Sequence, residues 1–241
     1  TLLQEVDSER NTQAARALAD LALCHVDNQD MKGSLVALVA LLQKGDDNGA
    51  RAIAAGALQN LARNSNNAVA IVSTEGCLVA LVALLQGDDG SGKAALGILW
   101  ALSRNVHNAM TIAGTEGCVD ALVALLQKGD NGAKASAAGI LWALSRDGRN
   151  AMTIAGTEGC LAALLALLWN GDARGKAVAA GALDDLALGT EFNFAGREGY
   201  LAALVALLQN GDVRGKFMAA TTLRNLARKT GNRVAIADTK G

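Results

Sequence analysis

The stretch EGCVDALVALLQKGDNGAKASAAGILWALSRDGRNAMTIAGT, residues Glu116–Thr157, recurs with small changes along most of the chain. One glycine opens each copy, and these glycines are Gly33, Gly76, Gly117, Gly159, Gly199 and Gly241. The steps between them are 43, 41, 42, 40 and 42 residues. Self-similarity at a fixed period of this size is typical of a solenoid, in which each unit covers the apolar face of its neighbour. The sequence therefore predicts a stack of repeats whose function lies on a surface.

The composition of the whole chain agrees with a stack of helices. Of its 241 residues 51% are hydrophobic and only 3% aromatic, so the interior must consist mainly of Leu, Ala, Val and Ile. There is no proline, which fits an almost entirely helical chain with turns made by Gly, Asn and Asp. Because the formal net charge is −1, we expect no bulk attraction to nucleic acid. No apolar run approaches the ~20 residues that span a bilayer, so we expect no membrane insertion.

Each copy contains three segments with helical character. What we name the second helix reads LVALVALLQ, where Leu38, Leu41 and Leu42 have the i, i+3, i+4 spacing of one buried stripe. A Gly-Asp pair follows, in which the glycine suits a left-handed helix stop and the aspartate can cap the next helix. We expect the left-handed stop at Gly45, Gly129, Gly171 and Gly211. The third helix then reads AAGALQNLAR or AAGILWALSR, and a short helix such as NNAVAIVST completes the copy.

This order of elements identifies a family. A short helix, a glycine, an LxxLVxLL-type helix, a Gly-Asp loop and AAGALxNLA together resemble the armadillo repeat of importin-α, β-catenin and plant armadillo proteins. The resemblance covers essentially the whole chain and implies an all-α fold, a right-handed α-solenoid of armadillo-like three-helix repeats. It predicts one array over residues 1–241, divided into a partial repeat 1–32 and repeats 33–75, 76–116, 117–158, 159–198 and 199–240. Neither end resembles a polar capping repeat, so we expect a segment of a longer array.

The cysteines have a structural explanation. Cys77, Cys118 and Cys160 each follow a Glu-Gly pair and recur once per copy. Neighbouring helices pack about 8–10 Å apart, whereas a disulfide requires Cα atoms within ~7 Å. We therefore predict buried, reduced thiols. Reduced cysteines and the lack of a signal peptide in this segment favour an intracellular location, cytoplasmic or nuclear.

No sequence feature indicates an enzyme, a metal site or a cofactor site. The loop at residues 87–94 approximates the phosphate-binding pattern GxxxxGK[ST], but Ala94 occupies the Ser/Thr position and no strand precedes the loop. The two histidines, His25 and His107, occupy unrelated positions of the repeat, so no nucleophile and base recur together. We expect no catalysis and no cofactor.

The resemblance also predicts a binding groove. In the family, third helices line a concave face, and an Asn that recurs on them binds the backbone of an extended peptide. Matched copy by copy, that position holds Asp20, Asn60, Ala101, Ala143, Asp185 and Asn225. An amide both donates and accepts hydrogen bonds, whereas alanine can do neither. The peptide clamp of the family is therefore interrupted in the middle copies.

A second pattern lies beside this Asn position. Trp100 and Trp142 precede it in the two middle copies, and Arg104 and Arg146 follow four residues later, on the same helix face. Arg63 extends the basic line in an earlier copy. Trp and Arg are enriched at binding hot spots, and Arg pairs with carboxylates, which predicts an aromatic and basic platform for an acidic segment. The alternative is that Trp fills space between third helices and Arg caps a helix end.

The leading functional hypothesis is a non-enzymatic scaffold whose groove binds an extended segment of a protein or peptide partner. The candidate groove residues are Asn60, Arg63, Trp100, Arg104, Trp142, Arg146, Asp185 and Asn225. The alternative hypothesis is a structural subunit of a large complex without a dedicated peptide ligand. A nuclear import adaptor ranks below both, because the arginine line would repel a basic import signal.

Overall fold

A computed structural model describes residues 13, 16–17, 20, 28–44, 48–87, 92–189, 200–228 and 230–239. Throughout these ranges the chain forms helices joined by short turns, and they contain no strand. Within the same ranges no single helix is long and apolar enough to cross a membrane, although three bent pairs of helices reach the required length and composition together. The predicted all-α fold is confirmed.

Two compact units divide the chain, Thr1–Gly117 and Cys118–Gly241, which we call unit 1 and unit 2. The boundary falls directly after one of the repeat glycines. The described helices of unit 1 are α1 (Asn28–Lys44), α2 (Asn48–Leu61), α3 (Ser65–Val72), α4 (Cys77–Gln86), α5 (Gly92–Ser103) and α6 (Val106–Ala113). The prediction of one continuous array over 1–241 stays a prediction, and most of its partial repeat 1–32 lies outside the described residues.

Unit 2 contains most of three repeats. Its described helices are α7 (Cys118–Lys128), α8 (Asn131–Ser145), α9 (Gly148–Gly156), α10 (Cys160–Asn170), α11 (Ala173–Gly189), α12 (Tyr200–Asn210), α13 (Val213–Ala227) and α14 (Thr230–Asp238). They follow the predicted order of second, third and short helix. The segment predicted as the short helix of repeat 159–198 lies outside the described residues.

The opening glycines of three repeats adopt the left-handed conformation. Gly76, Gly117 and Gly159 have φ values of 74°, 72° and 74° and stand directly before α4, α7 and α10. An L-residue with a side chain is strained in this region, which explains why the repeat keeps a glycine there. Gly33 differs, because it lies inside α1, which begins five residues earlier at Asn28.

The left-handed stop predicted for the Gly-Asp loops is wrong at the described positions. Gly171 has φ −70° and ψ 165°, and neither Gly129 nor Gly211 has a positive φ. The chain leaves the second helix in an extended conformation because the following aspartate caps the third helix, as when Asp212 accepts from the Gly215 amide at 2.7 Å. Glycine is retained for space, since a Cβ at Gly171 would meet the carbonyl oxygen and a methyl group of Leu167. Gly45 lies outside the described residues.

The helices pack through the predicted apolar stripe. Leu38 and Leu42 are almost fully buried, as are the equivalent leucines Leu81 and Leu122. The cysteines of three copies, Cys77, Cys118 and Cys160, are also buried, as predicted. Burial raises the pKa of the Cys77 and Cys118 thiols to about 12, because it disfavours the charged thiolate. These thiols therefore remain protonated and pack as small apolar side chains.

A buried asparagine ties three of the described short helices, α6, α9 and α14, to the third helix before each, a role that the sequence reasoning missed. The side-chain amides of Asn108, Asn150 and Asn232 donate to the main-chain oxygens of Leu102, Leu144 and Leu226 at 3.3, 3.2 and 3.3 Å. Each bond adds a side-chain donor to a carbonyl group in the last turn of the third helix, where the regular helical donors end. The recurrence of Asn at one repeat position was the available signal.

Candidate functional site

The third helices carry the candidate residues, and they lie side by side within each unit. In unit 1, α2 contacts α5; in unit 2, α8 contacts α11, which contacts α13. In unit 2 equivalent positions form three rows, which we call the third-helix face. The first row is Trp142, Asp184 and Arg224, the second is Ala143, Asp185 and Asn225, and the third is Arg146, Leu188 and Arg228.

Trp142 on α8 packs against a glycine of α11, and we call such a contact between a side chain and a glycine of the next third helix a glycine seat. A Cβ at Gly181 would lie 2.5, 2.7 and 2.8 Å from Cε2, Cζ2 and Cδ2 of the Trp142 ring. The ring also donates its N–H to the carboxylate of Asp185. One face of Trp142 thus fills space between third helices, yet 37% of the side chain remains exposed. The result is an aromatic surface held in a fixed orientation.

Two adjacent carboxylates on α11 connect the three third helices of unit 2. Asp185 accepts from Trp142 on α8, and Asp184 accepts from the Thr222 hydroxyl on α13 at 2.9 Å and from the Asn225 side chain. Burial raises the pKa of Asp184 and of Asp185, while these hydrogen bonds and the nearby Arg224 or Arg146 charge oppose the rise. Both carboxylates are half-buried and already hydrogen-bonded within the protein.

Three exposed arginines lie on the same face as these carboxylates. Arg146 and Arg228 are the C-cap residues of α8 and α13, and both side chains are exposed. Arg224 on α13 is exposed as well. Leu188 occupies the same row on α11 and is 46% exposed. The charge that unit 2 presents to solvent on this face is therefore mainly positive, with an apolar side chain in the middle of the third row.

The structure brings together three of the predicted groove residues. Trp142, Arg146 and Asp185 form one cluster, because Asp185 receives the Trp142 hydrogen bond and lies in the field of Arg146. Asn225 is not an exposed amide that could bind a peptide directly, since it is only 6% exposed and its side chain donates to Asp184. A partner that used Asn225 would have to compete with that internal bond.

The remaining predicted groove residues lie in unit 1. Asn60 is exposed on α2, and Arg63 is exposed just after that helix. Trp100 is half-buried on α5, and Arg104 is exposed directly after it. The platform role of these four residues stays a prediction.

Unit 1 contains a second glycine seat, in which a different side chain lies over the glycine. Gln59 on α2 lies over Gly97 on α5, and a Cβ at Gly97 would lie 2.7 Å from the Gln59 side-chain nitrogen. Gln59 is at the repeat position of Trp142, and Gly97 is at the position of Gly181. The glycine one turn before the Trp position therefore receives a side chain of the preceding repeat in both units.

Sequence reasoning missed the part played by Asp184 and Thr222. Asp184 occupies the Trp position of its repeat, a position for which the sequence analysis considered only the tryptophans of the two middle copies. The pair of adjacent aspartates, Asp184 and Asp185, was the usable signal, because two neighbouring carboxylates on one helix need partners when they are partly buried. No group of three or more His, Cys, Asp or Glu side chains in the described ranges is arranged to hold a metal ion.

The cavities of unit 2 lie away from the third-helix face. A cavity of about 470 Å³ is located between the second helices α10 and α12, with Trp169 and Leu165 among its lining residues. A second cavity, of about 350 Å³, reaches from Gln127 to Asn170. Neither of these two cavities is lined by a predicted groove residue.

Comparisons with known proteins agree with this geometry. The model of the armadillo/β-catenin-like repeat matches residues 196–228. A search of curated protein sequences found no significant match.

Three solved structures illustrate the similarity of fold. An engineered protein shares 27% identity and a TM-score of 0.71, over 95% of this chain and 94% of its own. A designed armadillo repeat protein in complex with the peptide (KR)4 shares 20% identity and a TM-score of 0.72, over 89% and 92%. The armadillo repeats only protein from Plasmodium falciparum shares 19% identity and a TM-score of 0.67, over 88% and 97%. Residues 196–228 thus match the armadillo/β-catenin-like repeat, and the described helices share the fold of solved armadillo-repeat structures.

Proposed function

We propose that the chain is a protein-binding scaffold and that its third-helix face binds an extended, acidic segment of a partner protein. The observation that carries this proposal is Trp142, whose exposed ring is fixed by Gly181 below it and by its hydrogen bond to Asp185. An aromatic ring that is already ordered loses little side-chain entropy on binding. Such rings are typical centres of binding energy in protein interfaces.

The fold supports a partner in an extended conformation. The designed armadillo repeat protein that shares this fold is in complex with a short peptide, (KR)4. A row of parallel third helices offers a surface of regular spacing, which suits a chain without secondary structure of its own. Both observations support peptide binding. The charge that the peptide should carry is inferred from the residues of this chain instead.

Charge on the third-helix face favours acidic partners over basic ones. Arg146, Arg224 and Arg228 are exposed, whereas Asp184 and Asp185 are half-buried and hydrogen-bonded internally. Guanidinium groups bind carboxylates through paired hydrogen bonds, and this geometry selects Asp and Glu side chains. A Lys/Arg-rich peptide would meet these arginines as like charges, which costs binding energy.

The test measures binding of two dye-labelled peptides by fluorescence anisotropy, an acidic peptide of alternating glutamate and leucine and the basic peptide (KR)4. We expect the acidic peptide to bind more tightly. Trp142→Ala should weaken that binding about tenfold or more, because it removes an ordered aromatic anchor. Arg146→Glu, an exposed change that leaves the helix packing intact, should weaken it by a smaller factor.

The matched control is Trp169→Ala. Trp169 is 39% exposed, close to the 37% of Trp142, and lies in the same unit on the second helix α10. This variant should bind the acidic peptide with unchanged affinity. Equal affinity of wild-type protein and Trp142→Ala protein of full helicity would contradict the proposal, as would tighter binding of (KR)4 than of the acidic peptide.

A further inference from the structure

In the third row of unit 2 an apolar residue lies between two basic ones. Arg146 and Arg228 are exposed at its two ends, and Leu188, 46% exposed, lies at the equivalent position of the helix between them. In the described copies of unit 1 the same position is exposed arginine, at Arg63 and Arg104. Leu188 is thus an apolar interruption in an otherwise basic row.

Acidic side chains are disfavoured beside this interruption. Asp184 and Asp185 lie on the same helix as Leu188, four and three residues before it respectively, which places all three on one face. Two half-buried carboxylates repel a third carboxylate at the middle of the row, whereas Leu188 offers apolar surface there and Trp142 adds exposed aromatic surface elsewhere on the same face. The ends of the row are different, because arginine side chains stand there.

The spacing of the helices sets the spacing in the partner. Helices in contact lie about 8–10 Å apart, so two steps from α8 to α13 cover about 16–20 Å. An extended chain advances about 3.3 Å per residue, so this distance corresponds to about six residues. Side chains at even separations point to the same side of an extended chain, which allows both end residues and the intervening apolar residues to face the row.

We infer that unit 2 selects a segment in which two acidic residues about six positions apart flank an apolar centre. The acidic side chains pair with Arg146 and Arg228, and the apolar centre packs on Leu188 beside Trp142. This inference rests on the proposed function and adds the register of the partner to it. The exposed charge at the ends of the row and the carboxylates at its middle provide the complementarity.

The experiment compares two peptides of about nine residues, a length that covers the row. The apolar-centre peptide is Ser-Glu-Ser-Leu-Ser-Leu-Ser-Glu-Ser, and the acidic-centre peptide is Ser-Glu-Ser-Glu-Ser-Glu-Ser-Glu-Ser. We expect the wild-type protein to bind the apolar-centre peptide more tightly, by about fivefold. Leu188→Arg, which completes the basic row, should reverse this preference. Val213→Arg adds the same charge at an 89% exposed apolar residue and should leave the preference unchanged.

The outcomes separate this inference from the function on which it rests. If neither peptide binds, or if Arg146→Glu binds both as tightly as the wild-type protein does, the proposed function itself is contradicted. If both peptides bind and Arg146→Glu weakens them, but Leu188→Arg keeps the wild-type preference, only the inferred register is wrong. Reversal by Leu188→Arg without reversal by Val213→Arg supports the inference.

Discussion

The contact between α2 and α5 in unit 1 and the contact between α8 and α11 in unit 2 are built on the same plan. In each, a glycine on the later third helix receives the side chain that projects from the earlier one. Gln59 covers Gly97 in unit 1, and Trp142 covers Gly181 in unit 2. The glycine is the same in both contacts, whereas the side chain that lies over it differs. A flexible polar side chain and a rigid aromatic ring both fit over the same backbone. The exposed residues of a repeat can therefore change while the packing of its helices is kept.

The largest expected difference between the two seats follows from adding a methyl group. Gly181→Ala would place a Cβ 2.5–2.8 Å from three ring atoms of Trp142, and a rigid ring held by Asp185 cannot move aside without losing contacts. We expect a loss of about 1–2 kcal/mol of unfolding free energy, after the gain in helix propensity is included. Urea unfolding followed by circular dichroism measures this. An increase in stability would show that Trp142 is not seated on Gly181.

The same change in unit 1 should have the opposite sign. At Gly97 the nearest atoms belong to the far end of Gln59, which can rotate away at little cost. Gly97→Ala should therefore stabilise the protein by about 0.5–1 kcal/mol through helix propensity alone. Gly56→Ala is the matched control, because no atom of the described residues lies within 4 Å of its added Cβ. A destabilised Gly97→Ala protein beside a stabilised Gly56→Ala protein would mean that the Gln59 seat is as rigid as the Trp142 seat.

A smaller expected effect is a pH dependence of stability, because Asp185, which accepts the Trp142 hydrogen bond, is titratable. Because burial raises the pKa of Asp185, the folded state favours its neutral form more than the unfolded state does. The stabilising contribution of Asp185 is therefore greatest below its ordinary pKa of 3.8 and declines as the pH rises through the raised value. Asp185→Asn keeps an oxygen that accepts from Trp142 but carries no charge.

Relative to wild type, Asp185→Asn should accordingly be more favourable at neutral pH than at pH 3.8, the ordinary pKa of an aspartate. Urea unfolding of both proteins at the two pH values measures this difference. Lys176→Gln is a control for general charge effects, because Lys176 pairs with Asp212 at 2.6 Å in another part of unit 2. An Asp185→Asn difference that is the same at both pH values would contradict the raised pKa.

Much of this structure could be predicted from the repeat alone. Copies of the sequence identify the leucine stripe, the order of the helices and the aspartate caps, since each depends on local spacing. Trp142, Arg146 and Asp185 could be assigned to one face because equivalent positions in successive copies become neighbours in a stack, but their contact with one another came from the structure. The conformation of Gly171 could not be predicted, because the loop pattern fits both a left-handed stop and the extended exit that the structure has.

Hydrogen bonds between repeats were also beyond the reach of sequence reasoning. Asn225 matches the family's peptide-binding amide in sequence, yet it donates to Asp184 of the preceding repeat. The difference arises because the residue opposite Asn225 is a carboxylate in this chain, and only the packed structure places the two within reach. Family resemblance therefore predicted the face, whereas the availability of each residue on it depends on its neighbours.

The most direct test of the binding face uses a protein in which Trp142 is the only tryptophan, made by Trp100→Phe and Trp169→Phe. Fluorescence quenching by acrylamide measures how exposed the Trp142 ring is. Binding of the apolar-centre peptide should protect the ring from quenching and shift its emission to shorter wavelength, because the peptide covers the exposed part of Trp142. Saturation with that peptide while quenching and emission stay unchanged would show that partners bind elsewhere on the chain.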